Sequence, residues 1–460
     1  MFSDPSRALP PCKPGVPASL RNIGTDTVGC MTRLHREYGD CVTFPGGSSI
    51  TLFAFHPAHN HAVFGRPDEF YIIGPPGPRK SAQRRFGNGL FGLNGPPHQR
   101  HRRMLMPAMQ KSAVESYQPA LVGLVRDRLA KWVPGGTIDL YREMKDLSLE
   151  VTGRILFGLD SFGTARDVAR VFQGWVEDYS AVLFAHLLPC DTPPDAYDRL
   201  LSVGEQLDGM FRRLAAERRA ALAPGQHDML AGLLRAVDAG AFTDDELIGE
   251  MHTLVNAAYQ TTASALTWTL FLLAQHPDAA RGVLAEVTGT GPAGPLDRGI
   301  KEALRMFPPV VYTARRANHA MPFADGWVPG GAYVISSFYV THRRPEVFPE
   351  PNVFRPDRWI GFTPTAYEYL PYGAGARMCM GASFAGQMIR GVVAAVFRRF
   401  RLAVVPGTRV DRNSTLTLGV RGGLPVEVHT QDGQFAAAAV TGNIHEMVTL
   451  PAAPPLAAAA

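Results

Sequence analysis

The most informative stretch of the sequence is PYGAGARMCMG, residues 371–381, in which glycines surround a single cysteine, Cys379. Glycine lets the backbone turn tightly and direct its amide groups toward one atom, here the sulfur. An isolated cysteine is most often a small apolar residue buried in a strand or helix. Cys379 instead follows Arg377 in a glycine-rich loop, and a helical pattern begins at about Gly381. Such a loop is typical of a thiolate that ligates iron, because amide donors temper the charge on the sulfur.

This loop resembles the haem-binding loop of the cytochrome P-450 family, whose pattern is aromatic, Gly, any, Gly, any, Arg, any, Cys, any, Gly. The positions that match are Gly373, Gly375, Arg377, Cys379 and Gly381, and Tyr372 stands where the family usually has Phe. The resemblance implies that Cys379 is the proximal iron ligand. It also implies that four neighbours help to bind haem b: Tyr372, Gly373, Arg377 and Gly381.

Further motifs occur in the order expected for the same family. KEALR supplies Glu302 and Arg305, three residues apart on one helical face, and FRPDRW supplies Arg358. A Glu-x-x-Arg pair alone is common on solvated helices and carries no weight. In this order, however, the three residues resemble the family's structural cluster, which locks the segment leading to the cysteine loop.

Two more segments resemble the family's contacts with the haem propionates. GPPHQRHRR contains His98 and Arg102, four residues apart, so both lie on one helix face and can reach carboxylates together. In YTARRANHA, Arg315 aligns best with the propionate-binding arginine, with Arg316 as a rival. The alternative for this last pair is two solvated surface arginines.

The longest predicted element is a helix from Thr243 to Gln275. Thr-Asp-Asp-Glu at 243–246 is a capping box, and His276-Pro277 ends the periodic run. About 32 residues at 1.5 Å each give a helix near 50 Å, long enough to cross a domain. Its middle, LVNAAYQTTASAL, is nearly uncharged, which is the mark of a buried helix.

This helix should pass over the distal face of the haem, where the family motif reads small, Gly, any, acid, Thr. Thr261 matches the threonine that helps to deliver protons during oxygen activation, and Thr262 adds a second hydroxyl. Ala258 replaces the glycine and Gln260 replaces the acid, and a glutamine cannot titrate. The proton route therefore departs from the family's pattern. The alternative for Thr261 is a helix threonine that bonds its own turn.

The predicted fold is mainly α with a minor β-sheet region, a cytochrome P-450 fold. The haem is expected between the long helix and the cysteine loop with its following helix. Residues 42–55 read as a β-hairpin and 71–97 as irregular, because Gly and Pro dominate there. We expect a catalytic domain over residues 1–432 and a disordered Ala/Pro-rich tail over 433–460.

The substrate pocket is predicted to be apolar, which favours a lipophilic small molecule. Its expected lining comprises the loop at 71–95, the helix residues Ala257, Ala258 and Thr261, the run Val310, Val311, Tyr312 and Thr313, and the run Leu418, Gly419 and Val420. Three arginines could meet an acidic substrate group, although each is more often a solvated surface residue: Arg84, Arg85 and Arg421.

Composition and charge limit the other possibilities. The chain has 46% apolar and 19% charged residues and a net charge of +5, without a long basic run, so nucleic acid is not an expected partner. Five widely spaced cysteines suggest no disulfide framework. Neither a signal peptide nor an apolar run long enough for a membrane anchor is apparent. A cytoplasmic location is therefore expected.

The resemblance implies a monooxygenase that uses O2 and takes electrons from NAD(P)H through a reductase and a ferredoxin or flavodoxin. We expect hydroxylation of a terpenoid, polyketide, fatty-acid or peptide-derived molecule in bacterial secondary metabolism, such as antibiotic biosynthesis. The alternatives are an oxidase that forms C–C or C–N bonds and a non-catalytic haem-binding member. An acidic redox protein is expected to dock behind the cysteine, on His101, Arg103, Arg390, Arg398 and Arg399.

Overall fold

The structure is a computed structural model that describes residue 20 and residues 23–46, 49–73, 81–159, 162–187, 195–223, 225–226, 228–323 and 326–452. The helices are α1 Thr27–Tyr38, α2 Pro57–Phe64, α3 Ser81–Phe86, α4 Gly95–Leu105, α5 Lys111–Ser116, α6 Gln118–Leu129, α7 Leu140–Val151, α8 Phe162–Leu187, α9 Ala196–Ala220, α10 Met229–Asp238, α11 Asp244–Gln275, α12 Pro277–Thr288, α13 Pro295–Met306, α14 Phe338–Thr341 and α15 Ala382–Arg399. The strands are β1 Cys41–Gly46, β2 Ser49–Ala54, β3 Phe70–Tyr71, β4 Thr137–Asp139, β5 Tyr312–Ala317, β6 Met321–Phe323, β7 Gly326–Val328, β8 Tyr333–Ser337, β9 Phe400–Val404, β10 Asp411–Ser414, β11 Leu418–Arg421 and β12 Pro425–Thr430.

The predicted hairpin is confirmed by β1 and β2, which pair antiparallel with Cys41 opposite Ala54. It opens a five-stranded sheet of order β1-β2-β8-β5-β3. In this sheet β2 runs parallel to β8, and β5 runs antiparallel to β8. Since β5 carries Arg315, the sheet fixes one of the predicted propionate-binding residues within a paired strand.

The long helix α11 begins and ends where the sequence predicts. The Thr243 hydroxyl accepts a hydrogen bond from the Glu246 amide, and the Glu246 carboxylate accepts one from the Thr243 amide. The helix packs against α3, α7, α9, α13 and α15, and its middle and end are buried on nearly every side. It is therefore the central element of the fold, as its uncharged middle predicts.

The predicted irregular region from 71 to 97 contains one short helix, α3, and the start of α4. The Gly and Pro content of the region does not predict α3, whose formation is explained by contacts with distant helices. Arg85 forms an ion pair with Asp208 on α9, and the Phe86 ring stacks on His252 of α11 at 3.9 Å. Residues 74–80 of this loop lie outside the described part of the chain.

The tail after residue 432 is a correction to the sequence-based prediction. Residues 433–452 are packed on the fold, and Ile444, Met447 and Val448 are almost fully buried. Backbone pairs join Thr441 to Arg409 and Thr449 to Val353. The predicted disorder therefore does not apply to 433–452, and residues 453–460 lie outside the described residues.

The architecture confirms the predicted class, mainly helical with small sheets. The cysteine loop precedes α15, and α15 packs directly on α11. Among the described residues, none of the helices is both long and apolar enough to cross a bilayer.

Candidate active site

The loop around Cys379 has a backbone that only glycine accommodates easily. Gly373 and Gly375 have φ angles of 70° and 69°, in the left-handed region. A Cβ at Gly375 would lie 2.2 Å from the Phe64 carbonyl oxygen, whereas one at Gly373 would contact nothing. The loop closes through the Cys379 amide, which donates to the Tyr372 carbonyl at 2.8 Å. Gly375 is thus required by both its conformation and the space around it.

The Cys379 thiol lies at the start of α15, close to two groups that favour a negative charge. Although Cys379 is exposed, desolvation by the surrounding protein raises its pKa above the ordinary value, while the Gly381 amide and the Arg102 guanidinium act in the opposite direction. Burial also raises the pKa of the neighbouring Tyr372 hydroxyl, to about 12, so this ring stays neutral. The loop therefore offers the sulfur an amide donor and a nearby cation, which are the partners that a bound thiolate needs.

Four basic side chains from three separate segments converge near this loop: His98 and Arg102 of α4, Arg315 of β5 and Arg377 of the cysteine loop. Burial and the charges of the three arginines lower the pKa of His98 to about 4. Burial and Arg377 lower the pKa of Arg315 to about 9, and burial and Arg102 lower that of Arg377 to about 10. At neutral pH the cluster is therefore three guanidinium groups around a neutral imidazole.

This cluster is the test of whether the residues fit a haem. Arg377 donates to the Asn94 side chain at 2.9 Å and to the Leu90 and Leu93 carbonyls, and Arg315 donates to the Thr313 hydroxyl at 2.6 Å. Within the described part of the chain, no carboxylate forms an ion pair with any of the three arginines. Buried guanidinium groups normally pair with anions. The haem's two propionates would supply the missing charge, so the residues fit the group.

The cluster of Glu302, Arg305 and Arg358 is fully formed. Both oxygens of Glu302 accept from Arg305 at 2.9 Å, and one also accepts from Arg358 at 2.8 Å. The Trp359 indole donates to the same carboxylate at 3.0 Å. Glu302 and Arg305 are 0% exposed, so the charges are sealed from water. The structure thus brings the three residues together as the sequence predicts.

One functional link was missed by sequence analysis, because His342 carries no motif. Its Nδ1 donates to the Arg305 carbonyl at 3.1 Å, and its Nε2 accepts from the Leu370 amide at 2.7 Å. The imidazole therefore ties the buried cluster to the entrance of the cysteine loop.

Asn94 was also missed by sequence analysis. An asparagine before Gly-Pro-Pro would ordinarily cap a helix. Here its side-chain oxygen instead accepts hydrogen bonds from the Arg377 guanidinium and the Ile72 amide.

The three candidate catalytic residues of α11 point in different directions. The Thr261 hydroxyl donates to the Ala257 carbonyl at 2.7 Å, and Thr262 donates to Ala258 at 2.9 Å. The alternative of a threonine that bonds its own turn is thus what the structure shows. Gln260 is 6% exposed, and its amide donates to Gln173 and to the Tyr259 hydroxyl at 2.9 Å each. Gln260 therefore joins α11 to α8.

The predicted pocket residues divide by their exposure. Ala257, Ala258 and Val310 are partly exposed, which suits a lining position. Val311 and Leu418 are 0% exposed, and the Leu418 carbonyl accepts from the Trp268 indole at 2.8 Å. Their role as lining residues stays a prediction, because a side chain can be buried and still line an enclosed pocket.

Some of the charged residues considered for substrate or partner contacts are exposed, and others are bound within the protein. Arg85 is bound to Asp208, whereas Arg84 and Arg421 are exposed. His101 is wrong as a docking residue, because it is completely buried between Glu246 and Glu250 at 3.1 and 2.7 Å. The remaining docking candidates are exposed: Arg103, Arg390, Arg398 and Arg399.

Comparisons with known proteins agree with this geometry. The family model named Cytochrome P-450 matches residues 18–425. A Streptomyces melanosporofaciens protein named cyclooctat-9-en-7-ol 5-monooxygenase is 31% identical over 394 residues, covering 81% of this chain and 84% of the relative. Cyclooctatin synthase of the same organism is 29% identical over 400 residues, covering 83% and 87%. The retinoic acid-bound cyanobacterial CYP120A1 has the same fold, with a TM-score of 0.77, 22% identity and coverage of 92% and 100%.

A cysteine loop, a cationic cluster and a long distal helix define a haem-thiolate protein, and this chain belongs to the cytochrome P-450 family. It is a monooxygenase of that family. The family implies a haem cofactor and O2.

Proposed function

We propose that this protein hydroxylates a lipophilic small molecule in bacterial secondary metabolism, such as antibiotic biosynthesis. Among terpenoid, polyketide, fatty-acid and peptide-derived substrates, a largely hydrocarbon molecule with few polar groups is best supported. The observation that carries this choice is the small, uncharged surface of α11 at Ala257 and Ala258. The two Streptomyces relatives add support, since one is named as a monooxygenase of an unsaturated alcohol.

The proposed roles of the site residues follow from their positions. Cys379 ligates the iron of haem b, and the Gly381 amide donates to the sulfur and moderates its charge. Arg102, Arg315 and Arg377 hold the propionates, with neutral His98 as a further donor. When bound, the haem supplies the activation of O2 and the oxidation of a C–H bond. The protein's part is to orient the substrate, exclude water and supply protons.

Proton supply is proposed to depend on Thr261 rather than on Gln260. The Thr261 hydroxyl lies on the partly exposed side of α11 and accepts no hydrogen bond within the described residues, so its lone pairs remain free to accept from water. Gln260 cannot titrate, and its side chain is engaged with Gln173 and Tyr259. Water ordered by Thr261, with Thr262 nearby, is therefore the proposed proton source. A substrate hydroxyl or carboxylate that completes the relay is the alternative.

The electron donor is proposed to be a separate ferredoxin or flavodoxin, reduced by its own reductase with NAD(P)H. Arg103, Arg390, Arg398 and Arg399 give the protein an exposed basic surface that an acidic redox protein would fit. Arg390 already pairs with Asp297 at 2.7 Å, so it contributes less free charge than Arg103.

Turnover with a surrogate ferredoxin and reductase tests the proposal. The reduced, CO-bound protein should show the strongly red-shifted Soret band of a thiolate haem, and Cys379→Ser should abolish that band. Cys30→Ser and Cys41→Ser are the matched controls, because these residues belong to α1 and β1 and not to the cysteine loop. Cyclic hydrocarbon alcohols should gain one oxygen atom. A product that loses two hydrogens and gains no oxygen would favour oxidative coupling, and a red-shifted band without any turnover would favour a non-catalytic haem binder.

A further inference from the structure

The C-terminal segment Gly433–Leu450, here called the strap, lies beyond the residues that the family model matches. It is irregular apart from a short 3-10 helix at Asn443–Glu446, and backbone and side-chain hydrogen bonds hold it to the rest of the fold. The Gln275 side chain, at the end of α11, both donates to the Ala438 carbonyl at 3.0 Å and accepts from the Ala438 amide at 2.7 Å. Further along, Thr441 exchanges backbone hydrogen bonds with Thr408 and Val410. The strap is thus a fixed part of the fold over this length.

The last part of the strap is also its most buried part. Ile444, Met447 and Val448 are at most 1% exposed. Beside them, Glu446 pairs with Arg412 at 2.7 Å, and Arg412 also pairs with Asp26. Through Arg412 of β10, this buried end of the strap is therefore connected to Asp26, the residue that precedes α1.

From this end of the strap, one chain of contacts leads to the cysteine loop. The Met447 carbonyl accepts a hydrogen bond from the Arg343 guanidinium at 3.0 Å. Arg343 is stacked on the Tyr339 ring at 3.6 Å, and its Nε and Nη1 atoms are buried without a partner among the described residues. The next residue toward the N-terminus is His342, which bonds both the Arg305 carbonyl and the Leu370 amide.

A second chain of contacts starts two residues later on the strap. The Thr449 amide donates to the Asn352 carbonyl at 2.8 Å. The adjacent Val353 carbonyl accepts from Arg358 at 3.2 Å, and Arg358 in turn bonds Glu302. The first chain thus ends at both the buried cluster and the segment that leads to Cys379, and the second chain ends at the buried cluster.

We propose that the strap is a positioning element for the thiolate ligand, with Arg343 as its positioning residue. Arg343 depends on the strap, because the Met447 carbonyl is the one hydrogen-bond acceptor that the described residues give its guanidinium. Without that acceptor the half-buried cation keeps only the face of the Tyr339 ring and has no hydrogen-bond acceptor among the described residues, so the segment around it must rearrange. His342 would move with Arg343 and release the Leu370 amide at the entrance of the loop. This proposal rests on Cys379 as the iron ligand but not on the identity of the substrate.

Hydrogen exchange of the haem-loaded, full-length protein, followed by mass spectrometry, tests the proposal. Arg343→Met removes the donor but keeps a long side chain over Tyr339. It should speed exchange of the amides in 363–381 by on the order of tenfold, while α8 and α9 stay unchanged. Arg343→Lys retains the cation and should restore much of the protection. Arg355→Met is the matched control, because the Arg355 side chain is exposed and bonds Glu350 and the Pro349 carbonyl rather than the strap.

Truncation provides a second, independent arm of the test. Ending the chain after Asp432 should reproduce the loop exchange of Arg343→Met, and should convert the CO complex to a form without the thiolate band on mild heating. Ending it after Ala452 should do neither. Unchanged loop exchange in Arg343→Met, or equal acceleration throughout the protein, would overturn the proposal. Neither readout requires turnover, so loss of the proposed hydroxylase activity alone leaves this result intact.

Discussion

Replacing Glu302 by alanine tests the buried cluster behind the cysteine loop most directly. The Glu302 carboxylate accepts hydrogen bonds from Arg305, Arg358 and Trp359 at distances of 2.8 to 3.0 Å, and Arg305 is completely buried. Removing the carboxylate leaves a buried guanidinium without its counter-charge, which costs about 3–5 kcal/mol. Since proteins are commonly stable by only about 5–15 kcal/mol, Glu302→Ala should give little soluble, haem-loaded protein.

The measurement is haem content together with urea unfolding of whatever folded protein is obtained. Asp297→Ala is the matched control on the same helix, α13, because Asp297 is about half exposed and pairs with exposed Arg390. Its loss should cost at most about 1 kcal/mol. If Glu302→Ala keeps normal haem content and stability and loses only turnover, the cluster is catalytic and the reasoning from burial is refuted.

The pH dependence of the same variant has a defined sign. Burial would raise the pKa of Glu302, but hydrogen bonds and charge from Arg305 and Arg358 outweigh it and hold this pKa below the ordinary 4.5. A carboxyl whose pKa is lowered by folding stabilises the protein above its unfolded pKa, and this contribution is lost as the pH falls through the folded value. The difference in unfolding free energy between the parent and Glu302→Ala should therefore narrow below pH 4.5.

Three further predictions concern the loop, the distal helix and the docking surface. Gly375→Ala should abolish haem loading, because both the φ angle and a backbone clash oppose a Cβ there. Gly373→Ala should lower the free energy of unfolding by only about 1–2 kcal/mol, because only its φ angle opposes a Cβ. Equal haem content in the two variants would contradict this. Thr261→Ala should raise the share of reducing equivalents lost as hydrogen peroxide several-fold, and Gln260→Ala should change it little, measured as product per NAD(P)H. If the threonine variant couples as well as the parent, the substrate-assisted route gains support. The rate of reduction by an acidic ferredoxin should fall as salt is added, since charges are screened within about 8–10 Å at 0.1–0.15 M ionic strength. Arg103→Ala should weaken this salt dependence. A rate of reduction that does not depend on salt would count against this docking surface.

The features that the sequence predicts well are those with local chemical signals. The capping box at Thr243 marks the start of α11 because a side chain and a backbone satisfy each other within four residues. The glycine spacing around Cys379 is equally local. The direction of Gln260 could also have been inferred, since adjacent residues on a helix point about 100° apart, so Gln260 and Thr261 cannot share one face.

The features that the sequence does not reveal depend on distant partners. The strap is rich in alanine and has no hydrophobic periodicity, yet Ile444 and Met447 are buried. Backbone hydrogen bonds to distant residues hold the strap in place: the Met447 carbonyl accepts from Arg343, and the Thr449 amide donates to the Asn352 carbonyl. Leu418 lies in an apolar stretch, and its backbone carbonyl accepts hydrogen bonds from the Trp268 indole and the Ser264 hydroxyl of α11, which no local pattern indicates. In such cases burial is decided by residues far away in the chain, and composition gives no sign of it.

The cationic cluster links folding to the cofactor. Burial lowers the pKa values of Arg102, Arg315 and Arg377, and the charge of Arg377 adds to this effect at Arg315, as the charge of Arg102 does at Arg377. Close packing of like charges opposes folding, so the fold carries an electrostatic cost that an anionic ligand would relieve. A haem that binds the folded state and not the unfolded chain would stabilise the fold by mass action. On the proposed assignment its propionates would lie against the cluster and its iron against Cys379. The three arginines come from α4, β5 and the cysteine loop, so the same binding event would fasten three distant segments to one another. Haem binding should therefore stabilise the whole core, which explains how a loop held by glycines can keep a ligand in a fixed position.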